Sequence, residues 1–179
     1  MNPSGQGCIH LYTGNGKGKT TAAMGLALRA IAAGWPVIIA QFLKDGTSGE
    51  LQALRQLPQV VIYTGKPCPG FSTLYTNAER LATREYNDRR LGDVIKLARD
   101  SSGPMLVILD EIVGTVQQGL VDESLLLDFL DQRPASLEIV LTGRQPSPSL
   151  CDRADYHSDI RKIKHPYDQG LTARKGVEK

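Results

Sequence analysis

The sequence predicts an α/β fold in which a mostly parallel central sheet carries helices on both faces. Short apolar segments alternate with longer segments of helical spacing, which is typical of parallel strands joined by helices. The apolar segments are continuous and do not alternate with polar residues, as expected of strands covered on both sides. A glycine-rich turn between the first strand and the first helix is the third observation, because turns of this kind bind phosphate groups in folds of this class.

The first half of the chain is predicted to contain three strands, with a helix between each consecutive pair. In chain order, these strands and helices cover residues 8–13, 20–33, 37–42, 50–57 and 60–64. Gly34 and Pro36 are typical of the end of a helix and are expected to end the first one. Apolar side chains at helical spacing predict its inner face to be Ala22, Ala23, Leu26, Ala27, Ala30 and Ile31.

The second half is predicted to contain two helices and three further strands. A helix, a strand, a helix and two strands are expected at residues 77–99, 105–109, 122–132, 137–142 and 156–160. Asp122 is the predicted N-cap of the second of these helices. The charged residues of the long helix are expected to form a solvated face, made of Glu79, Arg80, Arg84, Glu85, Asp88 and Arg89.

Bulk properties bound the class of protein. With 179 residues, the chain is predicted to form a single domain over residues 1–179, with residues 1–6 flexible and residues 161–179 forming a tail that packs near the site. The net charge of +2 is too small to indicate nucleic acid or a membrane as a partner. Three cysteines without CxxC spacing predict neither disulfides nor structural zinc and indicate a reducing compartment. Without a signal-peptide pattern or a long apolar span, the sequence predicts a cytoplasmic protein.

The glycine-rich turn has the residues of a phosphate-binding loop, Thr13-Gly14-Asn15-Gly16-Lys17-Gly18-Lys19-Thr20-Thr21. Glycines lack a Cβ, so successive N–H groups can point into one concave nest, and the following helix adds a partial positive charge. Lys19 supplies a full charge, and Thr20 supplies a hydroxyl suited to magnesium. The pattern G-x-x-x-x-G-K-[ST] is matched except at its first position, Thr13. The loop predicts a P-loop NTPase (RecA-like) architecture in which residues 14–21 bind a polyphosphate.

Polar residues also follow other strands, and the carboxyl ends of parallel strands meet at one edge of a sheet. Asp110 and Glu111 end an apolar strand and are predicted to hold magnesium, directly or through water. Arg144 follows a later strand and is predicted to bind phosphate oxygens with paired donors. Gln41, Phe42 and Lys44 end the second strand and can reach the same site, although by themselves they are a weak signal.

The stretch at residues 65–75 is the least regular in the chain. It contains Phe71, flanked by Gly70 and Ser72, and physical reasoning leaves open whether this ring is core or an exposed platform for a planar ligand. His165, between Lys164 and Pro166, is more typical of a structural or exposed residue than of a catalytic one.

A series of short segments follows one another along the chain in a specific order and spacing. These segments are Tyr12 to Ala23, Arg29-Ala30, Gln41-Phe42-Leu43-Lys44, Gly49-Glu50, Gly70-Phe71, Leu109-Asp110-Glu111, Leu141-Thr142-Gly143-Arg144, Ala154-Asp155 and Lys164 to Glu178. In this pattern the chain resembles the corrinoid adenosyltransferases of the CobA/CobO/BtuR type along nearly its whole length. Thr13 belongs to that family's version of the loop. The resemblance implies transfer of the 5′-deoxyadenosyl group of ATP to the Co(I) of a corrinoid such as cobalamin, with release of triphosphate.

The resemblance also implies ligands and site residues. The expected ligands are ATP, Mg²⁺ and a corrinoid. Lys19 and Arg144 are expected to stabilise the leaving triphosphate, while Arg29, Gln41 and Lys44 are expected to bind the nucleotide. The expected partners are an electron-donating reductase or flavoprotein and a second copy of the chain in a homodimer.

Two features depart from the family's pattern. Phe71 is expected to help displace the lower axial ligand of cobalt, but Thr73 stands where some members carry a second aromatic residue. Some members also have a longer N-terminal region with a helix that covers the corrinoid site, whereas 12 residues precede the Thr13 position here.

Two other classes of function remain as alternatives. One is a generic P-loop ATPase or kinase, which cleaves at phosphorus and releases ADP. The other is a nucleotide-dependent switch or RecA-like nucleic-acid module. The near-neutral charge and the lack of a basic stripe with interleaved aromatics disfavour the second alternative. The segments at residues 141–144 and 164–178 disfavour the first, because a generic ATPase does not need them.

Overall fold

The computed structural model describes residues 6–44, 46, 48–65 and 75–177, and in them six strands form one sheet in which every strand pair is parallel. The strands are β1 Ile9–Thr13, β2 Val37–Gln41, β3 Val60–Tyr63, β4 Met105–Asp110, β5 Leu137–Thr142 and β6 Tyr156–Asp159. The helices of the described residues are α1 Lys19–Ala32, α2 Gly49–Leu54, α3 Asn77–Arg99, α4 Ile112–Gln117, α5 Glu123–Asp131 and α6 Pro148–Arg153, and a single 3₁₀ turn covers Pro166–Gln169.

The order of the strands is β3-β2-β4-β5-β1-β6, so β5 lies between the strand that precedes the phosphate loop and the strand that ends in Asp110. Gln41 pairs with Asp110, and Tyr12 pairs with Thr142. The carboxyl ends of β1, β2, β4 and β5 therefore meet at one edge. This arrangement confirms the predicted α/β class and its parallel sheet.

Both faces of the sheet are covered by apolar side chains. As a consequence, β2 and β4 are buried at every position. On one face, α1 and α2 pack against the sheet through Ala23, Ala27, Ala30, Leu51 and Leu54. On the other face, the remaining helices pack through Leu91, Val94, Ile112, Val113, Leu126, Phe129 and Leu150. The prediction of helices on both faces is confirmed.

The inner face of α1 differs from the predicted one. Ala22 is exposed, and the adjacent buried positions are Ala23 and Met24. Lys19 is also buried, although it is charged, because it lies in the phosphate loop. The buried stripe of the helix is thus rotated relative to the one expected from apolar spacing alone.

The charged face of α3 is only partly solvated, contrary to the prediction. Arg80 donates a hydrogen bond to the carbonyl oxygen of Gln118, and Arg84 forms an ion pair with Asp122 at 3.0 Å. Asp88 accepts a hydrogen bond from the Asp122 N–H at 2.7 Å. These charges hold the connection between α4 and α5 against α3.

Two short helices, α4 and α6, were not predicted from the sequence. The sequence of α4, Ile-Val-Gly-Thr-Val-Gln, is rich in β-branched residues, which favour strands over helices. Asp122, in contrast, caps α5 as predicted, since its side chain accepts from the Ser124 N–H. The predicted flexibility of residues 1–6 concerns residues that, apart from Gln6, lie outside the described ones. Among the described residues, no helix has the length and apolar character that crossing a membrane requires.

Candidate active site

The phosphate loop, residues 14–18, joins β1 to α1. Lys19 is the first residue of α1 and is only 7% exposed. Its Nζ donates hydrogen bonds to the carbonyl oxygens of Gly14 and Gly16, at 2.8 and 2.9 Å. Gly14 and Gly18 have φ angles of 107° and 121°, which favour glycine over any other residue. The backbone conformation of the loop therefore requires these two glycines. The two hydrogen bonds of Lys19 keep its charge at the loop.

The residues directly after β6 support the loop from one side. The Gly16 N–H donates to the carbonyl oxygen of Ile160 at 2.7 Å, and the Lys162 N–H donates to Asn15 Oδ1 at 2.8 Å. A Cβ on Gly14 would lie 2.3 Å from the Ile160 oxygen, so a larger residue does not fit there. The loop is therefore packed against the segment that leads into the C-terminal tail.

Asp110, at the end of β4, is fully buried, and its carboxylate accepts hydrogen bonds from four side chains. Oδ1 accepts from the hydroxyls of Thr20 at 2.9 Å and Thr142 at 2.7 Å. Oδ2 accepts from Gln41 Nε2 at 3.0 Å and from Lys44 Nζ at 2.7 Å. These donors come from α1, β5, β2 and the segment after β2. Because a carboxylate has about four lone-pair sites, they fill its capacity.

Glu111 links β4 to α4 in a left-handed conformation, with φ 63° and ψ 14°. This conformation is uncommon for a residue other than glycine, asparagine or aspartate, and surrounding contacts must hold it. The Glu111 N–H donates to Thr142 Oγ1 at 2.8 Å, and the Glu111 carbonyl accepts from Thr115 Oγ1 at 2.7 Å. The Thr142 hydroxyl thus accepts from the Glu111 backbone while it donates to Asp110, and it joins the two acidic residues.

The charges of the site act on one another. Burial lowers the pKa of Lys19, and the positive charges of Arg144 and Lys44 lower it further, while Glu111 opposes them. Burial raises the pKa of Glu111, and the negative charge of Asp110 adds to this effect. Lys44, Lys19 and Arg144 act in the opposite direction on Glu111. These five side chains therefore surround one space, in which three are basic and two are acidic.

The oxygen atoms beside the loop fit a magnesium ion. Thr20 Oγ1 and Asp110 Oδ1 lie 2.9 Å apart, and within the described residues the fully buried Gln41 Oε1 has no hydrogen-bond partner. An oxygen in that state can accept a hydrogen bond from a hydrated cation. In the part of the chain that the structure describes, no three His, Cys, Asp or Glu side chains form a metal-binding group. A cation held by one or two carboxylates and substrate phosphates is typical of magnesium.

The sequence model of the ATP:corrinoid adenosyltransferase BtuR/CobO/CobP family matches residues 5–178. The chain belongs to this adenosyltransferase family. The corrinoid adenosyltransferase of Pseudomonas aeruginosa is 31% identical over 176 residues, which cover 97% of this chain and 84% of that protein. The corrinoid adenosyltransferase CobA of Salmonella typhimurium is 33% identical over 179 residues, with coverage of 97% and 86%. Membership supports the predicted adenosyltransferase function over a generic P-loop ATPase.

The solved structures with a similar fold include ATPases. ATPases 2 and 3 of EssC from Geobacillus thermodenitrificans align with a TM-score of 0.53 and 20% identity, over 96% of this chain and 35% of that one. The cytoplasmic domain of the type VII secretion ATPase EccC of Thermomonospora curvata aligns with a TM-score of 0.52 and 18% identity, over 92% and 21%. The adenosyltransferase chain thus spans only 35% and 21% of these two chains. The likeness confirms the predicted fold and shows nothing of the function.

The structure brings together most of the site residues that were predicted from the sequence. Hydrogen bonds within the site or charge effects connect Gly14, Gly16, Lys19, Thr20, Gln41, Lys44, Asp110, Glu111 and Arg144. Asn15 contacts the segment after β6, Gly18 caps α1, and Lys17 and Thr21 are exposed at the same turn. The roles of these residues toward ligands stay predictions.

Of the predicted site residues that the structure describes, Arg29 lies elsewhere. Arg29 is in the last turn of α1, ten residues and about 15 Å along the helix from Lys19. Burial raises the pKa of the Tyr12 hydroxyl, and the charge of Arg29 opposes this shift. Arg29 therefore lies near the side chain of Tyr12. Phe71, together with Thr73, lies outside the described residues.

Sequence reasoning missed two residues that hold the site together. Thr142 was seen only as part of a loop pattern, although a polar residue at the end of an apolar strand next to Arg144 is a usable signal. Arg90 is buried on α3, and its Nη1 donates to the Gln41 carbonyl oxygen at 2.7 Å. Its guanidinium lies 4.6 Å from the ring centroid of Tyr86 and 5.8 Å from that of Phe42. In the sequence, Arg90 is indistinguishable from the charged residues around it.

Proposed function

We propose that this chain transfers the 5′-deoxyadenosyl group of ATP to the Co(I) centre of a corrinoid and releases triphosphate. The observation that carries the proposal is the joining of the phosphate loop to the Asp110 network in a chain of the adenosyltransferase family. ATP and the corrinoid are the substrates. Cobalamin and related corrinoids fit the proposal equally.

The proposed step is a displacement at carbon. Co(I) supplies an electron pair and forms a bond to C5′ of the ribose, and the bond from C5′ to the triphosphate oxygen breaks. The electron pair of the broken bond leaves with the triphosphate. Because cobalt brings its own electron pair, the step needs no protein base. The protein must hold C5′ toward cobalt and stabilise a leaving group whose negative charge grows.

Side chains of this site are suited to stabilising the leaving triphosphate. Lys19 lies at the phosphate loop, and its pKa is lowered by burial and by neighbouring positive charges, so an incoming polyphosphate relieves an unfavourable cluster of cations. Arg144 is exposed at the rim, where a guanidinium can offer paired donors to phosphate oxygens. Fixed donors aimed at developing charge are a major source of catalysis in a site shielded from water.

Magnesium is part of the proposal. Thr20 and Asp110 are the residues proposed to hold it, with Glu111 beside them. Bound there, the ion would neutralise charge on the triphosphate. Neighbouring residues position the proposed ligand. Thr142 and Gln41 hold the Asp110 carboxylate in place, and Arg90 holds the backbone of Gln41.

Phe71 is proposed to act on the corrinoid by helping to displace its lower axial ligand, which makes cobalt easier to reduce. A reductase or flavoprotein as electron donor, a homodimer and a cytoplasmic location complete the proposal on the basis of family resemblance. For Phe71→Ala we expect a large loss of activity with cob(II)alamin plus reductant and a smaller loss with cob(I)alamin prepared beforehand. Equal losses from both starting states would argue against a role in activating cobalt.

The proposed function is tested by one assay. The full chain is incubated anaerobically with ATP, magnesium and chemically reduced cobalamin, and the nucleotide products and the corrinoid spectrum are followed. We expect free triphosphate and a light-sensitive cobalt–carbon bond in equal amounts. Release of ADP with an unchanged corrinoid spectrum would overturn the proposal and favour a P-loop ATPase or kinase.

A further inference from the structure

Lys44 lies three residues beyond the end of β2, and its ammonium bridges the residues proposed to hold magnesium. Its Nζ donates a hydrogen bond to Thr20 Oγ1 at 2.9 Å and another to Asp110 Oδ2 at 2.7 Å. A unit positive charge therefore lies against a hydroxyl and a carboxylate that are both expected ligands of a cation. An ammonium group and a metal ion cannot occupy this one position together.

The four donors to Asp110 differ in how easily they can leave. Gln41 and Thr142 belong to strands and are fully buried, and Thr20 belongs to the first turn of α1. The Lys44 side chain is 29% exposed and stands on a flexible four-carbon stem. Since the four donors fill the carboxylate, a metal that binds it must displace at least one of them. Lys44 is the donor that can move without disturbing a strand or a helix.

The backbone before Lys44 supports this view. Leu43 has a φ angle of 54°, in the left-handed region that residues with a Cβ rarely adopt. Holding such a conformation costs free energy, and contacts made by the segment must offset it. The two hydrogen bonds of the Lys44 ammonium are contacts of that kind. Loss of these bonds would allow the segment after β2 to relax.

Charge explains why Lys44 lies against Asp110. Asp110 is fully buried, and Thr20, Thr142 and Gln41 offer it only neutral donors. A buried carboxylate without an opposite charge is costly. Among the four donors, Lys44 is the one that supplies an opposite charge.

We propose that Lys44 is an internal cation, which fills the magnesium position of the nucleotide-free protein and leaves it when ATP and magnesium bind together. The inference rests on the proposed function for the identity of the metal site. The released ammonium can then turn to the phosphates, which bring negative charge to the same place. Lys44 thereby makes metal binding depend on the nucleotide, and the free protein binds divalent cations weakly.

The test measures metal binding without any turnover. Mn²⁺ replaces Mg²⁺ as a spectroscopic probe, because both ions prefer carboxylate and water oxygens. Binding to the full nucleotide-free chain is followed by electron paramagnetic resonance for the wild type, Lys44→Gln and Lys44→Arg. Lys96→Gln is the matched control, since it removes the same charge from an exposed position near the far end of α3.

We expect Lys44→Gln to bind Mn²⁺ at least tenfold more tightly than the wild type, and Lys44→Arg and Lys96→Gln to bind it as weakly as the wild type. Equal affinities of Lys44→Gln and the wild type would overturn the inference, as would an equal gain in Lys96→Gln, which would indicate a general effect of net charge. The wild type gives a further check that does not depend on the folding of a variant. Tight binding of Mn²⁺ to the nucleotide-free wild type would also overturn the inference.

A second arm separates this inference from the proposed function. With ATP present and no corrinoid, all four proteins are expected to form a complex with Mn²⁺ and ATP, seen as an increase in the relaxation rate of water protons. Absence of that complex in every protein would contradict the proposed magnesium site, and with it the exchange at Lys44. Failure of adenosyl transfer together with the expected Mn²⁺ affinities would contradict the proposed reaction and leave the role of Lys44 supported.

Discussion

Asp110 depends on residues from four separate parts of the chain. Its oxygens lie within 3.0 Å of donors from α1, β2, β5 and the segment after β2. Each donor reaches Asp110 only because the parallel sheet brings its strand ends to one edge. A substitution at any of the four is therefore expected to change the position or the charge of the same carboxylate.

Thr142 is the donor whose loss should be most informative. In Thr142→Val the side chain keeps its shape, but the Glu111 N–H loses its partner and Asp110 loses one of its four donors. We expect a loss of about 1–3 kcal/mol in the free energy of unfolding, since a buried polar group is left unsatisfied. Urea denaturation measures this loss, and the adenosyl transfer assay should show a lower rate. Thr142→Ser keeps the hydroxyl and should retain most of the activity; equal activities of the two variants would argue against the hydroxyl.

Lys19 is expected to be essential for turnover but not for folding. In Lys19→Ala the two hydrogen bonds to the loop carbonyls are lost, and so is the full charge expected at the triphosphate. We expect kcat/KM for ATP to fall by about 100-fold or more, as for the loss of a donor that stabilises developing charge. Circular dichroism should show an unchanged fold. Lys96→Ala is the control for net charge, and full activity of Lys19→Ala would mean that the triphosphate binds elsewhere.

At the scale of helices and strands, the sequence was sufficient to predict an element where a single segment determines its own structure. The bounds of α3 were predicted correctly, and the capping box formed by Thr76 and Glu79 shows why the helix begins where it does. The acidic pair at the end of β4, Asp110 and Glu111, was predicted because an apolar run precedes it. Arg90 could not be predicted, since its role exists only through contacts with the distant Gln41 backbone and Phe42 ring.

The short helix α4 shows a second limit of the sequence. Its β-branched residues favour a strand, yet the left-handed Glu111 turns the chain away from the sheet directly after β4. Val113 and Ile112 then become part of the core. Tertiary packing therefore overrides the local preference, which no pattern within the six residues of α4 indicates.

Glu138 joins β1 to β5 at the end of the sheet opposite the site. Its Oε2 accepts from the Cys8 N–H at 2.9 Å, and its Oε1 lies 2.5 Å from His10 Nε2. Burial alone would raise the pKa of Glu138, but the hydrogen bonds from His10 and Cys8 outweigh it and hold the pKa below the usual 4.5. A carboxyl whose pKa is lowered by folding stabilises the fold at pH values above its pKa in the unfolded chain. This contribution is lost as the pH falls through the pKa of the carboxyl in the folded protein.

We therefore expect Glu138→Gln to lower the free energy of unfolding at pH 7 by about 1 kcal/mol, the difference between hydrogen bonds to charged and neutral groups. The difference from the wild type should shrink as pH falls below about 4.5. Urea denaturation at several pH values measures both. Glu85→Gln, on the exposed face of α3, is the control. A difference that grows toward low pH would contradict the assignment of the ionised carboxylate as the stabilising form.

At the scale of the whole molecule, the sheet divides the chain into a buried core and a peripheral edge. β4 and β5 lie in the middle, and β6 forms an edge whose residues are all exposed. Nevertheless β6 pairs with β1, and the Ile160 N–H continues the pairing with a bond to the Thr13 carbonyl at 2.8 Å. The edge strand thus fixes the phosphate loop, although it adds little to the apolar core.

The C-terminal segment beyond this edge should be dispensable for folding. The described residues after Lys162 are exposed, apart from the half-buried His165, and the turn Pro166–Gln169 buries no residue. Tolerance of truncation follows from burial and hydrogen bonding of the removed backbone. A chain that ends at Lys162 keeps β6, the Ile160 carbonyl and the bond from Lys162 to Asn15. We expect its free energy of unfolding to lie within about 1 kcal/mol of that of the full chain, a surface effect.

A chain that ends at Asp155 provides the matched comparison. It lacks β6 and the Ile160 carbonyl that accepts from the Gly16 N–H, so the outer edge of β1 and one side of the phosphate loop lose their partners. Several backbone hydrogen bonds of about 0.5–1.5 kcal/mol each are removed, and we expect a loss of about 3 kcal/mol or more in urea denaturation. Equal stability of both truncated chains would show that β6 does not support the loop. Loss of cooperative unfolding in the longer one would show that the residues after Lys162 hold the fold together.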